Sequence, residues 1–338
     1  MKSILPSLPP QKTGRACLAA AFACIALTVQ AQKPAGLPAG YPSKPVRVIL
    51  STAPGGSTDF LGRTILGKVA EKWGNPFVME NFASAVGGII ALDAALKAPA
   101  DGHTVLVTSG STFQNANFVA KTGYDVRKVF TPIAQFTNSP LLMSVNASLP
   151  FSNVRELIAY AKSKPGELNI ATSGIGTSAH LSGELFKFMT GTNMLSVPYK
   201  GVAPSVTDTI AGRTQIVFGT TVGLLPHVRA GKLKALGMTS ASRLQSLPDM
   251  PTIAEMGVPG FEYIGWIGTV GRAGTPPAIV TALNQEALQI IRSAEVQKAL
   301  AADGSDPAYA TPEQFRDVIV SALDRAEKLI KDAGLKLE

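Results

Sequence analysis

The stretch 46-VRVILSTAPGGSTDFLGR-63 decides the predicted fold. An apolar run of strand length, 46–51, stops before the glycine pair Gly55-Gly56 and gives way to a helical pattern. On that helix an apolar residue recurs every four positions: Leu61, Ile65, Val69 and Trp73. A buried strand, a glycine turn and a helix with one apolar face form the first half of a βαβ unit.

The same alternation of apolar runs and helical patterns continues along the chain and restarts after Pro150. Further strands are predicted at 77–80, 104–109, 168–173, 195–199, 215–220 and 233–239, with helices near 154–161 and 181–189 and an amphipathic tail over 315–330. Strands that alternate with helices indicate parallel sheets, and two such series predict two α/β lobes. We place lobe 1 at 46–140 plus 265–338 and lobe 2 at 141–264.

The first 31 residues have the pattern of a removable signal peptide. Three basic residues precede an uncharged run, 16–29, and a small-residue cleavage site follows at Ala31. The run is short for a membrane span, which needs roughly 20 apolar residues. We therefore expect cleavage after Ala31, with the Pro-, Gly- and Ala-rich residues 32–45 as a tether before lobe 1.

Both cysteines of the chain, Cys17 and Cys24, lie in this leader. A minor alternative is a lipoprotein processed at Cys24, although Phe22 fits poorly in front of such a site. After cleavage at Ala31 the mature chain would have no disulfide, no thiolate nucleophile and no cysteine metal site. An exported chain without disulfides suits a bacterial periplasm.

The net charge of +8 includes the three basic residues of the leader, which has no acidic residue, so the mature chain would carry +5. Its basic residues are scattered along the chain and form no Lys/Arg-rich block. A nucleic-acid surface is therefore not expected, whereas a mild attraction for anions is.

Loops rich in Gly, Ser and Thr follow three of the predicted strands. They are 53-APGGSTD-59, 108-TSGST-112 and 171-ATSGIGTSAHLSGE-184. Each lies at the carboxyl end of a strand and before a helix, where open α/β sheets bind ligands and first-turn N–H groups can hold an anion. For the first loop, simple capping of the helix by Ser57, Thr58 or Asp59 is an equally good explanation. It is not a P-loop, because no Gly-Lys-Ser/Thr follows.

Three further positions allow two interpretations each. Thr220 and Thr221 end a predicted strand and either supply hydroxyls to the same cleft or cap the next turn. Lys200, in 197-VPYKG-201, is either a solvated turn residue or a cation at the cleft rim. His180, at the start of its helix, is either a packing residue or a cleft contact.

A dinucleotide-dependent α/β enzyme is the alternative function. The segment 174-GIGTSA-179 matches the dinucleotide pattern GxGxxG/A after a strand. That pattern also needs an acidic residue about 20 positions further on, for the ribose. Here the next strand ends in Pro198-Tyr199-Lys200, which contains no acidic residue, although Lys200 could meet the 2′-phosphate of NADP.

No other catalytic or metal-binding pattern is present. The three histidines, His103, His180 and His227, form neither HxxxH nor HExxH, and no serine lies in a GxSxG frame. We therefore predict no metal site, no cofactor and no catalytic triad.

Nine segments, in order along nearly the whole mature chain, strongly resemble the Bug (TctC-like) family of periplasmic solute-binding receptors of tripartite tricarboxylate transporters. They are YPSKPVRVIL, APGGSTD, VTSGST, SLPFSNVRELIAYAKSKPGELNIA, GTSAHLSGELFK, VPYKGVAPSVTD, HVRAGKLKALGMTSASR, LPDMPTIAEMGVPGFE and AGTPPAIVTALN. The resemblance implies an α/β periplasmic-binding-protein (Venus flytrap) fold, with two lobes around a ligand cleft. It also implies a receptor without catalysis, which delivers a small carboxylate to a membrane permease. We expect it to be a monomer.

The resemblance also implies which residues enclose the ligand. Carried over to this chain, they are Gly55, Gly56, Ser57, Thr58, Asp59, Ser109, Ser111, Thr177, Ser178, His180, Lys200 and Gly201. To these we add Thr220 and Thr221 from the end of their predicted strand.

The chain departs from the family pattern at two places. Family members often read FDNLP where this chain has Phe218-Gly219-Thr220-Thr221, so a frequent cleft carboxylate is replaced by Gly219. The loss of this partner for a ligand amine favours dicarboxylates or aromatic carboxylates over amino acids. The segment 80-ENFASAVGG-88 lacks the usual Arg and Pro of ENRPGAGG, a change to which we assign no effect.

Overall fold

The computed structural model describes residues 36–82, 88–120, 122–303 and 305–337. The predicted signal peptide, the lipoprotein alternative at Cys24 and residues 32–35 of the predicted tether lie outside these ranges. Within the described part of the chain, no helix is both long enough and apolar enough to cross a membrane.

Strands and helices alternate through the first part of the chain. In order they are β1 (Val46–Leu50), α1 (Ser57–Trp73), β2 (Phe77–Asn81), α2 (Ile89–Lys97), β3 (Thr104–Ser109), α3 (Gly110–Gln114), a π-helical turn (Asn115–Val119), α4 (Val126–Val129) and β4 (Phe130–Pro140).

The middle part repeats the alternation. Its elements are β5 (Leu142–Asn146), α5 (Val154–Ser163), β6 (Asn169–Thr172), α6 (Ser178–Thr190), β7 (Leu195–Pro198), α7 (Val202–Ile210), β8 (Ile216–Gly219), α8 (Thr221–Arg229) and β9 (Leu233–Met238). The last part is mainly helical, with β10 (Ile264–Arg272), α9 (Pro277–Ile291), α10 (Ala294–Asp303), β11 (Asp306–Pro307) and α11 (Pro312–Asp332).

The first sheet has the strand order β11-β4-β10-β3-β1-β2. β1 is parallel to both β2 and β3, whereas β10 is antiparallel to β3 and β4. Its strands come from 46–140 and from 264–307, so the last part of the chain returns to the sheet that the first part begins.

The second sheet has the order β7-β6-β8-β5-β9. β6 is parallel to β7 and β8, and β5 is antiparallel to β8 and β9. The chain crosses between the sheets twice, at Leu141 between β4 and β5 and through residues 239–263 between β9 and β10. The predicted α/β architecture with parallel strands is confirmed, while the lobe boundaries stay a prediction.

The apolar face of α1 holds this helix on the first sheet. The four residues of its predicted stripe, Leu61, Ile65, Val69 and Trp73, are fully buried in one cluster with side chains of β1 and β3. Full burial stabilises by about 1.5–3 kcal/mol for each such side chain. A Cβ on Gly62 would lie 2.7 Å from Leu50 Cδ2, so the helix runs close over β1. This packing fixes the start of α1 at the end of β1.

The tail helix α11 also packs on the first sheet. Thr311 and Gln314 form a capping box at its start, and Phe315 is buried next to Trp266 of β10. A Cβ on Gly268 would lie 2.6 Å from Phe315 Cζ, so only glycine lets the ring reach the strand.

The predicted tether is attached to the core at Tyr41. This side chain is buried, stands edge-on to Trp73, and donates its hydroxyl to the carbonyl oxygen of Gly102 at 2.7 Å. Burial, helped by the charge of Asp101, raises the pKa of the Tyr41 hydroxyl well above its usual range. Residues near Tyr41 are therefore part of the folded body.

Candidate functional site

A helix follows each of the six parallel strands, and the predicted ligand-binding residues lie at these junctions. Helices α1, α2 and α3 follow β1, β2 and β3, and α6, α7 and α8 follow β6, β7 and β8. The predicted residues are Gly55, Gly56, Ser57, Thr58 and Asp59 at α1, Ser109 and Ser111 at α3, Thr177, Ser178 and His180 at α6, Lys200 and Gly201 before α7, and Thr220 and Thr221 at α8.

The structure brings together two of these residues from different sheets. The hydroxyl of Ser111 lies 2.7 Å from the hydroxyl of Ser178, and the Ser178 N–H donates to Ser111 Oγ at 3.3 Å. Nearby, the Tyr263 hydroxyl donates to Gln114 Oε1 at 2.7 Å. The first turns of α3 and α6 therefore meet where the two sheets face each other.

The loop before α6 also lies close to the end of the π-helical turn. Gly176, in the loop before α6, has a left-handed φ of 71°. A Cβ at this position would lie 2.5 Å from Val119 Cγ2, at the end of the π-helical turn. Glycine is required here both for the backbone angle and for the close approach of the two bodies, each of which is one sheet with the helices packed on it.

Three helix starts at these junctions have no side-chain cap: α1 at Gly56, α2 at Gly88 and α7 at Gly201. The other three are capped by a hydroxyl that accepts a backbone N–H: Ser109 from Thr112, Thr177 from His180, and Thr220 from Gly223. The first N–H groups of a helix have no acceptor within the helix. The starts of α1 and α7 can therefore offer these groups to an anion.

Asp59 is held by protein donors on both carboxylate oxygens. Its Oδ2 accepts the Gly55 N–H at 2.9 Å, and its Oδ1 accepts from Asn81 Nδ2 at 2.8 Å and Arg63 Nε at 2.7 Å. Burial acts to raise the pKa of Asp59, but these hydrogen bonds and the Arg63 charge outweigh it and lower the pKa. Asp59 thus shapes the loop before α1, whose N-cap is Gly56.

His180 is also engaged by its own loop. Its Nδ1 accepts the Gly176 N–H at 3.2 Å, while Nε2 lies 3.6 Å from Glu184 Oε1. Burial lowers the pKa of His180, against a smaller opposing effect of Glu184. The ring is therefore neutral near pH 7, with Nδ1 as an acceptor, and it braces the loop in front of α6.

Lys200 lies on a turn that folds back over β6. The Tyr199 N–H donates to the carbonyl oxygen of Thr172 at 2.9 Å, and the Gly201 N–H donates to that of Ser173 at 3.2 Å. Lys200 itself is exposed. It is the one Lys or Arg among the predicted site residues.

Three buried hydroxyls at the ends of parallel strands have no hydrogen-bond partner among the described residues. They belong to Ser51 directly after β1, Thr108 in β3 and Thr172 at the end of β6. Each of these residues is at most 4% exposed. A buried hydroxyl without a partner costs about 1–3 kcal/mol, which a bound polar group would recover. None of the three is among the predicted ligand-binding residues, although Thr108 and Thr172 lie within two of the loops that the sequence indicates.

A groove of about 240 Å³ lies between α6 and α11, next to the Tyr263–Gln114 hydrogen bond. Its apolar lining includes Phe188, Met189 and Ala326, with Tyr263 among its polar members. It contains none of the predicted ligand-binding residues and no uncapped helix start. In the ranges that the structure describes, no group of three His, Cys, Asp or Glu residues could hold a metal ion.

Sequence comparison decides the family. A family model described as the tripartite tricarboxylate transporter family receptor (TctC) matches residues 61–335. The chain belongs to this receptor family. The predicted resemblance to Bug (TctC-like) receptors is therefore confirmed.

Individual relatives match almost the whole receptor. It is 34% identical to BugT of Bordetella pertussis over 300 residues, which are 88% of this chain and 92% of BugT. Among solved structures, R. palustris Rpa4515 with adipate is 36% identical, with a TM-score of 0.77 and coverage of 87% of this chain and 98% of that one. MatC from Rhodopseudomonas palustris with bound malate is 29% identical, with a TM-score of 0.73 and coverage of 86% and 100%.

These similarities confirm two further predictions. The receptor has the α/β fold of periplasmic binding proteins, as its solved relatives do. The family consists of solute-binding receptors and not of enzymes, so the prediction of a protein without catalysis is also confirmed. The dinucleotide alternative is left without support, and Thr177 of its GxGxxA segment caps α6.

Proposed function

We propose that this receptor captures a small dicarboxylate or aromatic carboxylate where the parallel strands of its two sheets end. It then delivers the ligand, in the periplasm, to the membrane permease of a tripartite tricarboxylate-type transporter. The observation that carries the proposal is the pair of uncapped helix starts at Gly56 and Gly201. Relatives solved with adipate and with malate support a carboxylate ligand.

Neutral donors supply most of the proposed binding energy. A helix N-terminus stabilises an anion by about 0.3–1 kcal/mol at exposed sites and by up to ~2 kcal/mol when partly buried. The unpartnered hydroxyls of Ser51, Thr108 and Thr172 add further hydrogen-bonding groups at the same strand ends. Charge-assisted hydrogen bonds to a carboxylate are roughly twice as strong as neutral ones. The exposed Lys200 adds a positive charge.

The site disfavours ligands that carry an amine. Gly219 provides no carboxylate at the end of β8, and a Cβ there would lie 3.2 Å from Leu224 Cγ. The Asp59 carboxylate is already occupied by three donors from the protein. An ammonium group would therefore meet no free anionic partner among these two positions, which favours plain over amino-substituted carboxylates.

Capture requires that the two sheets move relative to each other. The chain crosses between them only at Leu141 and through 239–263 in the described part, which makes these segments the proposed hinge. A ligand that contacts junctions of both sheets binds the closed arrangement better and so increases its population. The Ser111–Ser178 contact belongs to this closed arrangement.

The proposal is tested on receptor purified after secretion, by thermal shift and calorimetry with adipate, malate and benzoate. At least one of these is expected to raise the Tm, because a ligand at 100 times its Kd stabilises by about 2.7 kcal/mol. Aspartate and NADP serve as controls and should leave the Tm unchanged. Stabilisation by NADP alone would contradict the proposal. The mass of the secreted chain tests cleavage after Ala31.

A further inference from the structure

The start of α1 contains a buried acidic side chain beside the proposed carboxylate site. Asp59 lies in the first turn of α1 and is 5% exposed. Its lowered pKa keeps it ionised at neutral pH. The helix dipole stabilises a negative charge in this position, but that charge repels a second anion at the same helix start.

Arg63 lies one helical turn further along and forms an ion pair with this carboxylate. Its Nε donates to Asp59 Oδ1 at 2.7 Å, and its Nη2 donates to Asn81 Oδ1 at 2.7 Å. Asn81 in turn donates to Asp59 and to the carbonyl oxygen of Thr52. The guanidinium is thus held at two points.

Other charged side chains near this network are paired elsewhere. Arg47 of β1 binds Glu80 of β2 at 2.7 Å, and two lysines of α1 pair with residues of the last part of the chain. These pairs are Lys68–Glu295 and Lys72–Glu286. Within the described ranges, Arg63 is the charged side chain that bonds to Asp59.

We infer that Arg63 neutralises Asp59 and thereby keeps the start of α1 able to accept a ligand carboxylate, while Asn81 positions both side chains. The inference rests on the proposed carboxylate-binding function. Arg63 is a positioning residue that acts through Asp59 and does not contact the ligand. Asp59 shapes the Gly55 loop through its hydrogen bond, and Arg63 removes the electrostatic cost of having a carboxylate there.

The inference is tested by calorimetric titration with adipate, or with whichever of malate and benzoate binds the unchanged receptor. Arg63→Gln leaves Asp59 charged without its partner. A like charge beside an ionised group typically shifts its pKa by about one unit, which is a factor of ten in an equilibrium constant, so we expect binding to weaken roughly tenfold. Arg63→Lys keeps the charge and should stay within about threefold of the unchanged receptor. The double variant Arg63→Gln with Asp59→Asn removes both charges and should recover most of the affinity.

The matched control is Arg47→Gln, which breaks a half-buried Arg–carboxylate pair on the first sheet. It should bind as the unchanged receptor does, and the Tm of each ligand-free variant monitors folding. Unchanged affinity in Arg63→Gln, equal losses in Arg63→Gln and Arg63→Lys, or no recovery in the double variant would each overturn the inference. If the unchanged receptor binds none of the three carboxylates, the proposed function fails instead.

Discussion

The hydroxyl oxygens of Ser111 and Ser178 lie 2.7 Å apart and join the first turns of α3 and α6, which follow strands of different sheets. This contact is a polar link between the two bodies at the strand ends. It is therefore a point where the closed arrangement can be weakened without a change in either hydrophobic core.

We expect Ser111→Ala to lower the affinity for a carboxylate ligand by about two- to tenfold, because a net hydrogen bond contributes about 0.5–1.5 kcal/mol. The radius of gyration of the ligand-free variant, from small-angle scattering, should increase as the closed population falls. Ser163→Ala on α5, whose hydroxyl donates to the carbonyl oxygen of Tyr160, is the control. Equal affinities in the two variants would show that the Ser111 contact does not stabilise the closed form.

The double variant Ser57→Ala with Thr58→Ala tests the hydroxyls at the uncapped start of α1. Binding should weaken roughly tenfold if these hydroxyls donate to the ligand, because hydrogen bonds to charged groups contribute about 1.5–3 kcal/mol. The Tm should change by only a few degrees, since the N-cap is Gly56 and not a hydroxyl. Thr64→Ala, further along α1, controls for loss of a helix threonine. Unchanged affinity would assign Ser57 and Thr58 to local structure alone.

Gly176→Ala should hold the two bodies apart. The new methyl group would meet Val119 Cγ2 at 2.5 Å, and the left-handed φ of 71° adds a cost of about 1–2 kcal/mol. Gly191→Ala is a matched control, because its φ is 61° and a Cβ there would meet nothing within 4 Å. Both variants should lose a similar amount of stability. Only Gly176→Ala should lose ligand affinity in a calorimetric titration, and equal affinities would refute the role of this contact.

The buried His180 should make the free energy of unfolding depend on pH. Burial lowers the pKa of His180 in the folded receptor, so between that value and the unfolded value of 6.5 the unfolded chain binds more protons. Stability therefore rises with pH in this window and is lost as the pH falls below 6.5. His180→Gln should reduce this slope by up to about 1 kcal/mol per pH unit in urea denaturation.

The control for this pH effect is the unchanged receptor, measured over the same pH range. A slope that is the same in His180→Gln as in the unchanged receptor would mean that the ring is not buried in its neutral form.

The parallel strands could be predicted from the sequence because each is a short, continuous apolar run. β3, for example, occupies the predicted 104–109. The long antiparallel strands β4 and β10 were not predicted. β4 mixes polar residues with two prolines, and β10 contains glycines that are typical of loops. Gly268 is explained only by Phe315, a tertiary contact that no local pattern shows.

The candidate site was predictable as a set of loops but not as a set of contacts. Glycine and hydroxyl residues after strands predict where a ligand binds. Partners far apart in sequence, such as Asp59 and Asn81 or Ser111 and Ser178, depend on the packing of whole elements. The role of Asp59, which was open at the level of sequence, follows from its three donors.

The two chain crossings make the second sheet an insertion within the first body, and this has a practical consequence for fluorescence assays. The exposed Lys331 of α11 and Lys162 of α5 lie on opposite sides of the crossings. The chain has cysteines only at 17 and 24, within the predicted leader. Lys331→Cys with Lys162→Cys would therefore give a secreted receptor with just two dye-reactive positions. Energy transfer between the dyes would report closure directly and allow a library of carboxylates to be screened.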